Sequence, residues 1–175
     1  MAAKWTDFVS GAVLTAAQLN SVLDNFSDIA IFNETQASGT QGGTFTSGSY
    51  TKRVLNTTVV NNITGCSISS SVVTLPAGTF YIRGIAPAYR VDENKARLQN
   101  TTAATTIQLG TNQRSSNGDA TNCNAVVETV VTLTVSSTIE LQHRCQTTFA
   151  TQGLGAACGF GDDEIYSSLY IARIA

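Results

Sequence analysis

Residues 71–98 decide the fold, and they read SVVTLPAGTFYIRGIAPAYRVDENKARL. The stretch begins with a short apolar run, passes through a Pro-Ala-Gly sequence and continues into a longer alternating segment. Pro76 fixes the backbone angle φ and Gly78 permits a positive φ, so the chain can reverse at this point. The stretch therefore predicts a hairpin of two strands.

The segment after this turn alternates with a period of two, which is typical of a strand rather than a helix. One face is small and aliphatic, as a tight core between two sheets requires, and comprises Phe80, Ile82, Gly84, Ala86 and Ala88. The other face combines aromatic and aliphatic side chains with arginine, and comprises Tyr81, Arg83, Ile85, Pro87 and Tyr89. Because so apolar an outer face is unusual in water, the pattern predicts that it contacts another subunit.

The composition indicates one domain with a true core and a small appendage, since the chain has 175 residues. Charged residues make up 13% of the chain, which is about half the usual share. A formal net charge of −2 and the lack of a basic run exclude long-range attraction to nucleic acid or to acidic membranes.

The opening sequence, MAAKWTDFVSG, lacks the apolar core of a signal peptide, and no later segment is long enough for a transmembrane helix. We therefore expect synthesis in a cytosol, without secretion or membrane insertion. The cysteines are widely spaced and comprise Cys66, Cys123, Cys145 and Cys158. In a reducing compartment we expect free, buried thiols, although a Cys145–Cys158 pair across a hairpin stays open.

The clearest helix pattern spans residues 14–34, LTAAQLNSVLDNFSDIAIFNE. Thr15 is placed to cap the helix, and Gln18, three residues later, completes a capping box. The apolar positions recur at spacings of three, four and three, and comprise Leu19, Val22, Phe26 and Ile29. Two interpretations stay open: the helix lies on its own domain, or it forms a short self-associating bundle, because the spacing keeps a heptad rhythm.

Residues 35–50, TQASGTQGGTFTSGSY, are rich in glycine, serine and threonine, which is typical of a linker or of an extended arm. The rest of the chain predicts about eight to ten short strands separated by turns, and therefore an all-β sandwich or barrel. We expect three parts: a helical segment over residues 1–35, a linker over residues 36–50 and a β domain over residues 51–175.

The residues needed for catalysis are sparse. His143 is the single histidine, no Gly-x-Ser-x-Gly sequence is present, and His143 shares a strand face with Ile139 and Leu141. A core or interface histidine is therefore favoured. Cys145 lies on the same face, but a Cys-His nucleophile or a metal site lacks a second pair of ligands. We expect no enzyme activity, no metal and no cofactor.

Two further groups of residues are candidates for binding. Asp162, Asp163 and Glu164 form the densest acidic cluster, for which a solvated turn is favoured over a calcium site because the EF-hand spacing is missing. The second group combines aromatic rings with guanidinium groups and comprises Tyr81, Arg83, Tyr89, Arg90 and Arg97. Such a group suits either a sugar- or anion-binding surface or a subunit interface, and the interface is favoured.

Three stretches resemble one family: LPAGTFYIRGIAPAYRVDENKARLQNTT, STIELQHRCQTTFATQGLGAACGFG and the terminal EIYSSLYIARI. They are similar to a jelly-roll domain found in virion proteins of tailed phages, of the broad tumour-necrosis-factor-like and complement-globular-head type. The N-terminal WTDFVSGAVLTAAQLNSVLDNFSDIAIFNETQ resembles the start of phage tail and fibre proteins, including those of cyanophages. Ligand specificity does not carry over, because Asn94 stands where the family pattern often has histidine.

The resemblance implies an antiparallel jelly-roll sandwich that forms a homotrimer through an apolar face, with an N-terminal segment that attaches the trimer to the virion. Its partners would be other tail or capsid proteins and a glycan or protein of the host surface, with assembly in the host cytoplasm. We expect a tail fibre or knob involved in host attachment; capsid decoration and a tail-associated carbohydrate-active enzyme are the alternatives. The residues expected to associate or dock are Trp5, Phe8, Leu19, Val22, Phe26 and Ile29.

Overall fold

The computed structural model describes residues 28–174 together with Gly11, Val13, Thr15 and Ala16. Every named element in this part of the chain is a β-strand. The strands are β1 (Ile29–Gln36), β2 (Thr51–Lys52), β3 (Thr57–Asn61), β4 (Ser67–Ser69), β5 (Val72–Leu75), β6 (Gly78–Tyr89), β7 (Asp92–Asn100), β8 (Thr105–Leu109), β9 (Gln113–Ser115), β10 (Asn122–Leu133), β11 (Ser137–Cys145) and β12 (Glu164–Arg173).

The strands form two antiparallel sheets. The first sheet has the order β10-β6-β12-β1-β3, and the second has the order β4-β5-β11-β7-β8, with β2 also paired to β11 and β9 to β7. One hydrophobic core contains buried side chains from both sheets, so the sheets pack face to face as a sandwich. The prediction of a mainly β, antiparallel sandwich is confirmed. Within the described part of the chain, no helix is long and apolar enough to cross a membrane.

The alternation predicted for β6 is present. Phe80, Ile82 and Ala86 are fully buried, while the intervening side chains face outward. Gly84 is tightly packed between the two sheets: a Cβ at this position would be 2.8 Å from Leu141 Cδ1 of the second sheet. The small residues of this face therefore let the sheets approach each other.

The predicted hairpin at Pro-Ala-Gly is wrong. β5 pairs with β4 and β11 in the second sheet, whereas β6 pairs with β10 and β12 in the first. Pro76 and Ala77 therefore connect the two layers. Leu75 and Phe80, on either side of this connection, are both fully buried, so the crossing contributes a core side chain to each sheet.

The helix predicted over residues 14–34 is wrong for residues 29–34, which belong to β1. This strand lies between β12 and β3. Every second side chain of the strand is buried in the interior, namely Ala30, Phe32 and Glu34. Pairing on both sides satisfies its backbone, which explains why the period of two prevails over the helical spacing. Ile29 is thus a strand residue. The other predicted docking residues lie outside the described part of the chain: Trp5, Phe8, Leu19, Val22 and Phe26.

The segment between β1 and β2 lies against the sandwich. Phe45 is 1% exposed and forms a β-bridge with Phe149, while Gly43 N donates to Thr151 O at 2.8 Å. Phe45 joins a second, smaller core cluster with Ala88 and Cys145 at one end of the sandwich. These contacts hold residues 37–50, which we call the arm, on the domain.

Candidate functional site

The outer face of the first sheet carries several apolar side chains, which together we call the apolar face. Its members project away from the core on β1, β6, β10 and β12, and comprise Ile29, Ile31, Tyr81, Ile85, Val126, Val130, Tyr170 and Ala172. The strand register aligns them in rows, since Tyr81 lies opposite Val130 and Ala172, and Tyr170 lies opposite Ile31. The rings of Tyr81 and Tyr170 meet edge to face with their centroids 6.0 Å apart.

The polar groups of the apolar face are few. Arg83 and Glu128 lie directly opposite each other and form an ion pair at 3.8 Å. A hydrogen bond with Glu128 raises the pKa of Tyr81. Asn33 Oδ1, on the same side of β1, is buried and has no hydrogen-bond partner within the described residues. A buried amide oxygen without a partner is uncommon.

The five aromatic and arginine candidates do not form one surface. Tyr81 and Arg83 belong to the apolar face of the first sheet. Tyr89 packs against Phe149 at 5.7 Å, and Arg90 lies 5.0 Å from the centre of the same ring, at the end of β6. Arg97 is in the second sheet, where its guanidinium covers the Tyr50 ring at 4.1 Å and Nε donates to Gln142 Oε1 at 2.8 Å.

His143 is a core residue, as predicted. Its ring is fully buried, lies 4.7 Å from the Phe45 ring, and forms a 3.0 Å hydrogen bond between Nε2 and Asn94 Oδ1. Because an amide oxygen only accepts, Nε2 carries the proton. Burial, reinforced by the positive charge of Arg53, lowers the pKa of His143 well below 6.5. The ring is therefore neutral and serves packing.

The cysteines are free thiols, and only one of them is buried. Cys145 is buried, Cys158 is exposed, and Cys66 and Cys123 are half-buried, so the expectation of buried thiols holds for Cys145 alone. Burial raises the pKa of both Cys66 and Cys145 to about 11. These two thiols are therefore protonated and unreactive at neutral pH.

The acidic cluster is divided by the fold. Asp162 and Asp163 are exposed, but the Glu164 carboxylate is not part of a solvated turn. It accepts backbone hydrogen bonds from Cys158, Gly39 and Gly159 at 2.7 to 3.0 Å, and these bonds lower its pKa. Glu164 thus fastens a loop to the arm. Within the described residues, no group of three histidine, cysteine or acidic side chains could hold a metal ion.

Solved structures with the same architecture identify the fold. The globular domain of zebrafish complement 1qA protein matches with a TM-score of 0.51 and 14% identity, over 83% of this chain and 97% of that chain. Murine APRIL at pH 5.0 matches with a TM-score of 0.51 and 10% identity, over 83% of this chain and 99% of that chain. The fold is a jelly roll.

A third match is weaker. The PRD1 vertex protein P5 has a TM-score of 0.49 and 15% identity, over 85% of this chain and 98% of that chain. No protein-family model matches the chain, and no curated protein is similar to it in sequence. The first two matches establish the jelly-roll fold, and at these sequence identities they show neither activity nor partners.

Sequence reasoning missed a buried ion pair inside the jelly roll. Arg53 is 1% exposed and its Nη2 lies 3.2 Å from Glu34 Oε2, which also accepts a hydrogen bond from Ser167. Arg53 donates further to the carbonyl oxygens of Pro87 and Leu154. The signal for this pair was the period of two. Arg53 is two residues from the buried Leu55, and Glu34 is on the same face of β1 as the buried Ala30 and Phe32.

Proposed function

We propose that the protein is a non-enzymatic structural protein of a phage virion: a homotrimeric tail fibre or knob that takes part in host attachment. The apolar face is the observation that carries this proposal. A row of aliphatic and tyrosine side chains on an open sheet stabilises a protein when a second copy covers it, because burial removes apolar surface from water.

Arg83 and Glu128 form an ion pair at 3.8 Å, so a neighbouring subunit that covers them would enclose paired rather than isolated charges. Jelly rolls packed around a threefold axis through this face would leave the second sheet outward.

Virion attachment is inferred from the resemblance of the N-terminal segment, residues 5–36, to the start of phage tail and fibre proteins. Residues 29–36 of that segment are part of the jelly roll, as β1, so the attaching part would be residues 1–28. Three copies of a weak site on one fibre would multiply a modest affinity for the host surface. The chain itself would supply binding and no chemistry.

Imaging of virions that contain the protein with a tag after Ala175 tests this proposal. We expect threefold density at the tail, and a tag-directed gold label at the same place. Density spread over the capsid lattice would instead establish capsid decoration. Label absent from purified particles would contradict any role in the virion.

A further inference from the structure

The second sheet carries an open groove on its outer side, with a volume of about 610 Å³. Its floor is formed by outward-facing residues of β7 and β11, and its walls come from the arm and the residues around β9. The groove is complete within one subunit and lies on the sheet opposite the apolar face. Its volume is within the range of about 300–1,000 Å³ typical of small-ligand sites.

The groove contains a pair of like charges. Lys95 of β7 and Arg144 of β11 are directly opposite each other in the strand register, and both line the groove. Residues opposed in this way have Cβ atoms about 4.5–5.5 Å apart, and two like charges at this spacing destabilise a sheet. Neither residue has an ion-pair partner in the part of the chain that the structure describes.

The neighbouring charges do not neutralise this pair. Glu93, the acidic residue in the groove lining, forms an ion pair with Arg114 at 3.7 Å. In the first sheet, by contrast, Arg83 faces a carboxylate, that of Glu128, across the strands. The groove therefore holds two adjacent positive charges, Lys95 and Arg144, without an ion-pair partner among the described residues.

The rest of the lining suits hydroxyl groups. The amides of Asn112, Gln113 and Gln146 border the groove and can donate and accept hydrogen bonds. Tyr50 presents an aromatic ring at the rim, where the Arg97 guanidinium holds it at 4.1 Å. Amides, an aromatic ring and a planar cation are the groups that bind the hydroxyls and the apolar faces of sugars.

We propose that this groove binds an acidic saccharide. The carboxylate of a sugar would lie between Lys95 and Arg144 and relieve their repulsion, with the guanidinium of Arg144 able to form two parallel hydrogen bonds. The sugar hydroxyls would contact the amides of Gln113 and Gln146. This assignment goes beyond the proposed trimer, since each subunit carries a whole site.

Saturation-transfer NMR titrations of the full chain test the assignment, with N-acetylneuraminic acid and glucuronic acid as probes and with galactose and acetate as comparisons. We expect saturable binding of at least one acidic sugar and weaker binding of galactose and acetate. Lys95→Gln and Arg144→Gln should each lower the affinity by about tenfold or more, as expected for a charge-assisted hydrogen bond. Lys52→Gln, the matched control outside the groove lining, should leave the affinity unchanged.

Three results would overturn the assignment. They are no binding of either acidic sugar, binding that both groove variants retain, and acetate binding as tight as that of the sugars, which would indicate a simple anion site. Thermal melting separates binding from folding: the groove variants should melt at the wild-type temperature or slightly above it, because the like-charge pair is gone. Because the groove lies within one subunit, a monomeric protein would still bind the sugar. Failure of the trimer proposal can therefore be distinguished from failure of the saccharide proposal.

Discussion

Arg53 and Glu34 form a buried ion pair, and the stability of the interior depends on both partners. A buried charge costs free energy unless it is paired and hydrogen-bonded; here the Arg53 guanidinium donates to the Glu34 carboxylate and to two carbonyl oxygens, and the carboxylate also accepts from a serine hydroxyl. Burial lowers the pKa of Arg53, against the opposing effect of Glu34. Removing either partner would leave the other as an uncompensated charge.

We therefore predict that Arg53→Ala lowers the free energy of unfolding by about 3–5 kcal/mol. The neighbouring Lys52→Ala changes a half-exposed side chain, and its effect should stay within about 0.5 kcal/mol. Urea unfolding followed by circular dichroism measures both. Equal losses in the two variants would show that the buried pair does not carry this stability.

His143 makes stability depend on pH. The pKa of the folded state is depressed well below 6.5 by burial, so the unfolded chain binds one more proton once the pH falls below about 6.5. The free energy of unfolding should therefore fall on acidification below pH 6.5, with a slope that approaches at most about 1.4 kcal/mol per pH unit. The depressed pKa values of Asp92 and Glu164 act only at lower pH.

Urea unfolding at pH 7.5, 6.5 and 5.5 measures this slope, with His143→Gln as the control. The glutamine can still donate to Asn94 but does not titrate, so the variant should show a nearly flat profile over the same range. A slope that is the same in both proteins would assign the pH dependence to other groups.

At the scale of elements, β1 is the strand on which the first sheet depends. It separates β12 from β3, and its buried side chains include Phe32 and the Glu34 partner of Arg53. The twelve strands and two core clusters that the structure describes form a complete sandwich from residues 28–174. We therefore predict that deletion of residues 1–27 leaves a cooperatively melting domain, whereas deletion of residues 1–40 abolishes cooperative melting.

Thermal melting of the two truncated chains, followed by circular dichroism, tests this prediction. The longer deletion removes a central strand, leaves Arg53 unpaired and exposes the edge of β12, which also invites aggregation. If both truncated chains melted alike, β1 would be dispensable, and residues 29–36 would belong with the N-terminal segment after all.

The periodicity of the sequence predicted the buried face of individual strands well, but it did not predict which strands pair with each other. The alternation along β6 needs only its own residues, so its buried face was predictable from the sequence. Ile29 also continues the helical spacing of Leu19, Val22 and Phe26, so the sequence at β1 fits both a helix and a strand. Pairing with β12 and β3 favours the strand. Pro76 and Gly78 indicate a turn, but a turn does not say which strands pair on either side of it.

The groove and the buried ion pair depend on still longer connections. Lys95 and Arg144 are close because β7 pairs with β11 in one register, and a shift of one residue would place a different side chain opposite each. Arg53, which directly follows β2, meets Glu34 of β1 only after both segments are in place. Such sites become visible in a sequence once strand order is known.

For the whole molecule, the central claim is that the apolar face joins three copies. Size-exclusion chromatography with light scattering on the full chain tests it most directly, with Val130→Glu and Leu109→Glu as matched variants. Both wild-type residues are aliphatic and similarly exposed, at 57% and 51%, but Val130 belongs to the apolar face and Leu109 to the outer side of the second sheet. A charge buried at the interface should prevent association, and one on the open side should not.

We expect the wild type and Leu109→Glu to have about three times the 18.4 kDa mass of one chain, and Val130→Glu to elute as a folded monomer. A wild-type protein that is monomeric at micromolar concentration would contradict the trimer. A Val130→Glu protein that stays trimeric would contradict the apolar face as its interface.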